Sequence, residues 1–199
     1  MDIIIDAVRK LERAIEGTGC EESPVILRVD PDAVPCQYER GAVMDASFGG
    51  RTAEFTTSEP ARATTRVSFM FGAALETTRL RAAACAIINV VSGFLCMSRK
   101  LRACKPECHG PCRAELIGLL AGKTAYCHAK MPALLRAPGS RITEAPESAD
   151  VIILNGDGMI SHEGDRLLTE YGGSKRLLLV GPSTAGVAAL KNGAFLPIR

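Results

Sequence analysis

Short apolar strands alternate with short helices along the second half of the chain, and this alternation constrains the fold more than any other feature. Residues 151–154 (Val-Ile-Ile-Leu) and 176–180 (Arg-Leu-Leu-Leu-Val) have the length and aliphatic character of buried strands. The pattern predicts further strands at 123–127, 141–144 and 194–198, and helices at 114–120, 131–136, 161–171 and 184–191. Strands separated by helices form parallel βαβ units, so we predict a small Rossmann-like parallel sheet spanning 116–199.

The first half of the chain carries a different pattern. Apolar residues recur at helical spacing over 2–16, and a strand is predicted at 24–29. Two further strands at 42–48 and 51–56 flank Gly49-Gly50, which is a hairpin signal. A long apolar helix is predicted at 72–97. We therefore predict an α+β module spanning 1–115 and an α/β fold class for the whole chain.

The length of the apolar run, the residues at the start of the chain and the net charge limit the kinds of partner that are expected. The apolar run at 82–97 covers sixteen residues, fewer than the roughly 20 that cross a bilayer, so a buried core helix is the better interpretation. The start of the chain lacks the basic residues of an export signal, and eight cysteines without such a signal favour a reducing cytoplasm. A net charge of +2 without a long basic run argues against nucleic-acid binding. The expected partners are a metal ion or a small-molecule ligand, with no membrane, and a free sheet edge is compatible with a homodimer.

Four cysteines and one histidine fall within seventeen residues, at Cys96, Cys104, Cys108, His109 and Cys112. Thiolates gathered with an imidazole bind zinc, copper(I) or an iron–sulfur cluster, so the predicted cofactor is an iron–sulfur cluster or zinc. Prolines 106 and 111 argue against an unbroken helix, and a compact loop with inward-turned sulfurs is predicted instead. A disulfide, a redox-active thiol pair and inert reduced cysteines stay open as alternatives.

Basic residues surround these thiols on both sides. They would lower the pKa of the thiols and favour thiolate under each of these alternatives. The members of this basic set are Arg99, Lys100, Arg102, Lys105 and Arg113.

A second candidate site follows from the predicted parallel sheet. Ligands of such sheets bind beyond the carboxyl ends of the strands, and in a flavodoxin-like strand order three of the loops there would share one edge. These loops supply a base, a cation, an amide, a carboxylate and two hydroxyls next to a glycine, namely His128, Lys130, Asn155, Asp157, Gly181, Ser183 and Thr184. Turn formation, helix capping and a plain surface histidine explain the same residues without a ligand. No strand is followed by Gly-x-Gly-x-x-Gly, so the sequence does not favour a dinucleotide-binding site.

Several C-terminal segments resemble those of the heavy-metal chelation family, a domain of unknown function found in archaea and anaerobic bacteria. They are Gly122-Lys123 with Met131-Pro132, the run Ala149-Asp150-Val-Ile-Ile, and Leu178-Leu-Val-Gly181-Pro182-Ser183-Thr184 with Gly193 beyond. The helix segment 81–89 resembles the upstream helix of that family.

The resemblance implies an enolase N-terminal-like module followed by a Rossmann-like domain, with a site in the cleft between them. Matching positions carry over Asn89, Lys130, Pro132, Gly181 and Ser183 as cleft residues. The chain departs from the family at 129–132, where Ala-Lys-Met-Pro stands in place of Gly-His-Phe-Pro. The cysteine-rich segment looks like an addition to the family pattern.

The sequence therefore predicts a metal-binding protein with a ligand cleft between its two modules. The alternative is a small-molecule enzyme that uses this cleft and has structural cysteines. No nucleophile–base pair is evident in the sequence, so no reaction is assigned.

Overall fold

A computed structural model describes residues 2–36, 38–129, 131, 141–191 and 196–198. The helices and strands follow each other in a simple order along these residues. They are α1 Ile3–Ile15, β1 Pro24–Asp30, β2 Val43–Phe48, β3 Arg51–Thr56, β4 Ala63–Arg66, α2 Thr78–Phe94, α3 His109–Leu119, β5 Thr124–His128, β6 Arg141–Thr143, β7 Val151–Leu154, α4 Gly156–Ile160, α5 His162–Tyr171, β8 Arg176–Val180, α6 Ala185–Leu190 and β9 Leu196–Ile198. The described elements form an α/β fold with two sheets, as predicted.

The first sheet is antiparallel, with the strand order β3-β2-β1-β4. The β2–β3 hairpin turns at Gly49 and Gly50, which have φ angles of 53° and 75°. Glycine tolerates this left-handed conformation because it has no Cβ, and the predicted hairpin is confirmed.

The second sheet is parallel throughout, with the order β6-β5-β7-β8-β9. Counted within this sheet alone, its strands run 2-1-3-4-5, which is the flavodoxin-like order. The predicted Rossmann-like sheet is therefore confirmed. Its carboxyl edge carries the ends of β5, β7 and β8, and the first sheet reaches this edge through the end of β3.

Helix α2 lies between the two sheets and is buried along most of its length. One apolar core continues from the first sheet across α2 to one face of the parallel sheet, where Ile152 and Leu154 point. Val151 and Ile153 alternate to the opposite face and pack with Leu116 of α3. The interpretation as a core helix is confirmed for 82–93, whereas the helix ends at Phe94 and Cys96 and Met97 are exposed. None of the helices in the described part of the chain is long and apolar enough to cross a bilayer.

Two local predictions were wrong. Helix α3 begins at His109 rather than at 114, so the predicted loop is a short 3₁₀ turn at Pro106–Cys108 that runs directly into the helix. Pro111 is tolerated there because the first-turn amides of a helix have no intrahelical acceptor, so the missing N–H costs nothing. Residues 155–158, for which turn formation was one explanation, are the capped start of α4.

One observed strand was not predicted, and one predicted helix cannot be compared with the described residues. Strand β4 was not predicted, because its sequence Ala-Thr-Thr-Arg is mostly polar and mostly exposed at the sheet edge. The predicted helix at 131–136 lies outside the described residues apart from Met131.

Candidate functional site

Three ligand-type side chains converge near the carboxyl edge of the parallel sheet. The sulfur atoms of Cys36 and Cys104 and a ring nitrogen of His109 all lie within 4.8 Å of one another. Each of the three residues is half-buried. Cys36 belongs to the loop between β1 and β2, Cys104 follows α2, and His109 opens α3. The group therefore joins segments that are far apart in the chain.

Cys112 completes this group through its sulfur. Side-chain hydrogen bonds connect Cys112 with Cys36 and Cys104. The bond from Cys36 and the bond from Cys104 stabilise the thiolate and lower the pKa of Cys112 to about 6, although burial opposes this. The hydrogen bond to Cys112 is also the main reason that the pKa of Cys36 is raised, and burial adds to it. Burial raises the pKa of Cys104 as well. Hydrogen bonds thus link the three sulfurs, and Cys112 adjoins the group formed by Cys36, Cys104 and His109.

The chain around His109 orients its ring. Its Nε2 atom lies 3.2 Å from the carbonyl oxygen of Cys104. A carbonyl oxygen only accepts hydrogen bonds, so Nε2 carries the proton in this contact and Nδ1 is the nitrogen left to bind a metal. Cys112 lies in the first turn of α3, where the positive end of the helix dipole favours a thiolate.

The remaining predicted thiols lie outside the group. Cys96 is exposed just after α2, with a positive φ of 59°. Cys108 is exposed and lines the wide cleft described next. The structure therefore brings together Cys104, His109 and Cys112 of the predicted set and leaves Cys96 and Cys108 at the surface. It adds Cys36, which sequence reasoning missed because no neighbouring thiol or imidazole marks it.

A wide cleft of about 690 Å³ opens on one side of these thiols. Residues 99–102 and the β2–β3 turn form one wall, and the first turn of α3 and Glu115 also line the cleft. Gly181 and Pro182, which follow β8, also line the cleft. It therefore reaches from the first sheet to the carboxyl edge of the second, which is the general ligand position in such sheets.

A much smaller cavity of about 50 Å³ lies on the inner side of the group. Three of the sulfurs line it, together with apolar and polar residues of both modules. Among these residues are Tyr38, Thr56, Leu116 and Asn155. Cys104 and Cys112 thus line both the wide cleft and the small cavity.

Asn89 supports the site without lining either space. It is buried and donates from Nδ2 to the carbonyl oxygens of Pro182 at 3.0 Å and Ser183 at 3.2 Å. Its Oδ1 atom accepts a 2.8 Å bond from the amide of Gly186. Asn89, which the resemblance places in the cleft, therefore makes its hydrogen bonds within the protein. Its bonds hold the turn after β8 in place.

The hydroxyls that follow β8 are also engaged within the protein. Ser183 is fully buried, and its Oγ accepts a 2.7 Å bond from the amide of Thr56 and lies 2.8 Å from the Thr56 hydroxyl. The Thr184 hydroxyl donates to the carbonyl oxygen of Gly181 at 3.1 Å. Only Gly181 of these three predicted cleft residues lines the two cavities.

The loop after β7 connects the two modules. Asn155 lines the small cavity and caps α4 by accepting a 2.8 Å bond from the amide of Gly158. The carboxylate of Asp157 accepts bonds from the amide and hydroxyl of Ser58, while its own amide donates to the Tyr38 hydroxyl at 3.1 Å. Burial, followed by the charge of Asp157, raises the pKa of Tyr38. This loop therefore connects the segments around the first sheet to the carboxyl edge of the parallel sheet.

His128 ends β5 and interacts locally. Its Nε2 atom lies 2.8 Å from Oγ of Ser161, which caps α5, and burial lowers the pKa of the ring. Lys130 and Pro132, which were also predicted to line the cleft, lie outside the described residues.

The fold is similar to that of a solved protein of unknown function from the DUF364 family of Pyrococcus horikoshii. The TM-score is 0.53, with 14% sequence identity over 91% of this chain and 79% of that chain. No protein-family model matches the sequence, and no curated protein matches it either. The likeness shows a fold shared with a domain of unknown function.

Proposed function

We propose that this protein binds a single soft or borderline metal ion, with zinc as the first candidate. The ligands are Cys36, Cys104, Cys112 and His109. The observation that carries the proposal is the convergence of two sulfurs and one ring nitrogen within 4.8 Å. Thiolate and imidazole ligands suit zinc, and a Cys₃His set is one of its common tetrahedral sites.

The spacing of the group favours one ion over an iron–sulfur cluster. Tetrahedral ligands at a zinc–sulfur distance of about 2.3 Å lie about 3.8 Å from each other. The ligand atoms of Cys36, Cys104 and His109 lie within 4.8 Å of one another, so these three need only a small closing movement to reach that value. A cluster spreads its four cysteine ligands over two or more iron atoms, so some of its ligand sulfurs must lie farther apart than around a single ion.

The surroundings of the ligands also support a tightly held ion. The protein fixes the protonation of the His109 ring through its contact with the carbonyl of Cys104. Such contacts hold a metal-binding ring in the correct orientation. The half-buried position of the thiols restricts access by water and competing chelators. The resemblance to the heavy-metal chelation family is in keeping with this thiol-rich ligand set.

Metal analysis of protein purified without oxygen tests the proposal. We expect about one zinc per chain, with no acid-labile sulfide. Iron with sulfide in matching amounts would instead indicate a cluster, and protein without any metal would contradict the proposal.

Two cysteine variants then test the ligand assignment. Zinc sites of this kind have apparent binding free energies of about 10–16 kcal/mol. One of four ligands then contributes roughly 3 kcal/mol, so Cys36→Ser should weaken zinc binding by about 100-fold. Cys108→Ser is the matched control, because Cys108 is exposed and lies outside the group. Competition with a chromogenic chelator measures both affinities, and an equal loss in the two variants would contradict the assignment.

A further inference from the structure

We infer that the wide cleft beside the thiols is a binding site for a small anionic molecule that carries a phosphate or carboxylate group. Four cationic side chains line it, namely Arg51, Arg99, Lys100 and Arg102. Glu115 is the one carboxylate among the residues that line the cleft. This site goes beyond the proposed metal centre, and its cations belong to a separate wall.

The first sheet holds this basic wall in place. Arg51 begins β3 immediately after the Gly49-Gly50 turn. The segment that carries the other three cations lies along β3, where the amide of Glu54 donates to the carbonyl of Leu101 at 2.7 Å. The Glu54 carboxylate in turn accepts a 2.7 Å bond from the amide of Ala103.

Packing against α2 also holds this segment in place. The side chain of Leu101 lies against Gly93 of α2, where an added Cβ would come within 2.6 Å of it. Leu101 is therefore held against α2, while Lys100 and Arg102 on either side of it are exposed.

Two of the four cations have no anionic partner within the described part of the chain. Arg51 and Arg99 take part in none of the salt bridges or side-chain hydrogen bonds between described residues. The positive charge of Arg102 is partly balanced, because it interacts electrostatically with the carboxyl groups of Asp45 and Glu54. Like charges gathered in a cleft repel each other, and a bound anion removes this repulsion.

Shape and chemistry together define the class of ligand. A volume of about 690 Å³ is in the range of pockets for small metabolites. Guanidinium groups bind phosphate and carboxylate oxygens in a two-pronged geometry. A zinc ion bound by three thiolates and a neutral imidazole would carry one net negative charge. Together with Glu115 this makes two negative charges, which the four cations still exceed. The cleft therefore favours an anion with or without bound metal.

Equilibrium dialysis at low ionic strength tests the inference, with radiolabelled inorganic phosphate and with ribose 5-phosphate as probes. Ribose serves as the neutral control. The double variant Arg51→Gln/Arg99→Gln should weaken the binding of both anions by about tenfold or more. Arg9→Gln/Arg13→Gln removes the same charge from exposed positions of α1 and should leave binding unchanged. Added salt should weaken binding by the wild type, since screening reduces the attraction.

The outcomes separate this inference from the proposed metal centre. Zinc content is measured in the same samples and should be equal in the wild type and in both double variants. Wild-type protein that retains neither anion, or that retains ribose equally well, would overturn the inference whatever its zinc content. An equal loss of binding in both double variants would also overturn it, because it would indicate unspecific attraction by net charge.

Discussion

Replacing Ser183 by alanine should weaken the junction between the two sheets. The Ser183 hydroxyl is fully buried next to the last residue of β3. It accepts from the amide of Thr56 at 2.7 Å and lies 2.8 Å from the Thr56 hydroxyl and 3.2 Å from its carbonyl oxygen. Alanine keeps the backbone and removes all three interactions.

The size of the effect follows from the groups that lose their partner. A buried donor left without an acceptor costs about 1–3 kcal/mol, and the Thr56 amide becomes such a donor. The Thr56 hydroxyl also loses its neighbour, which adds a smaller cost. We expect the free energy of unfolding to fall by about 2–3 kcal/mol, which corresponds to a decrease in Tm of roughly 5–10 °C for a chain of this length.

Urea unfolding followed by circular dichroism measures this change. Ser148→Ala is the matched control, because Ser148 is exposed. It should change the free energy of unfolding by no more than about 0.5 kcal/mol. Amide hydrogen exchange at Thr56 should accelerate in the Ser183 variant. Equal stability of the two variants would refute the reasoning, because it would mean that the Thr56 amide finds another partner without cost.

Two further substitutions test the packing and the charges of the fold. Gly156→Ala would place a Cβ against the carbonyl oxygen of Thr56, so the free energy of unfolding should fall by about 1–3 kcal/mol. Gly173→Ala is the control, because nothing lies within 4 Å of an added Cβ there, and it should not destabilise the protein. Burial opposes the ionisation of Asp2, but the hydrogen bond and charge of Arg81 outweigh it and lower the pKa of Asp2 below its ordinary value of 3.8. The charged Asp2 carboxylate therefore stabilises the fold at pH values above 3.8. This contribution is lost as the pH falls and the carboxylate takes up a proton. The stability difference between the wild type and Asp2→Asn should therefore shrink as the pH falls below about 4, as measured by urea unfolding, and a constant difference would contradict this.

The local pattern of the chain predicted most of the secondary structure. Strands β7 and β8 occupy the predicted residues, and the β2–β3 hairpin turns at the predicted glycines. These predictions succeed because burial imposes a period on neighbouring side chains, and that period can be read without knowing what covers them. The start of α3 was missed because the prolines near it usually break helices, whereas a first turn tolerates them.

The chemistry of the candidate site was predictable only in part. The close spacing of Cys104, His109 and Cys112 indicates a metal site by itself. Asn89 and Ser183 were predicted to face a ligand, yet their hydrogen bonds join the two modules. A buried polar side chain must find partners, and the sequence does not tell whether those partners belong to a ligand or to the protein.

The sequence by itself determined the parallel sheet, the buried helix α2 and a thiol-rich segment, because each depends on residues that are close together in the chain. Only the tertiary structure decided that Cys36 joins this segment and that Arg51 lines the same cleft as its thiols. Contacts of this kind depend on the order of strands in each sheet and on the way the sheets pack around α2. Hydrophobic periodicity reports that a side chain is buried, but it carries no information about which distant segment it meets.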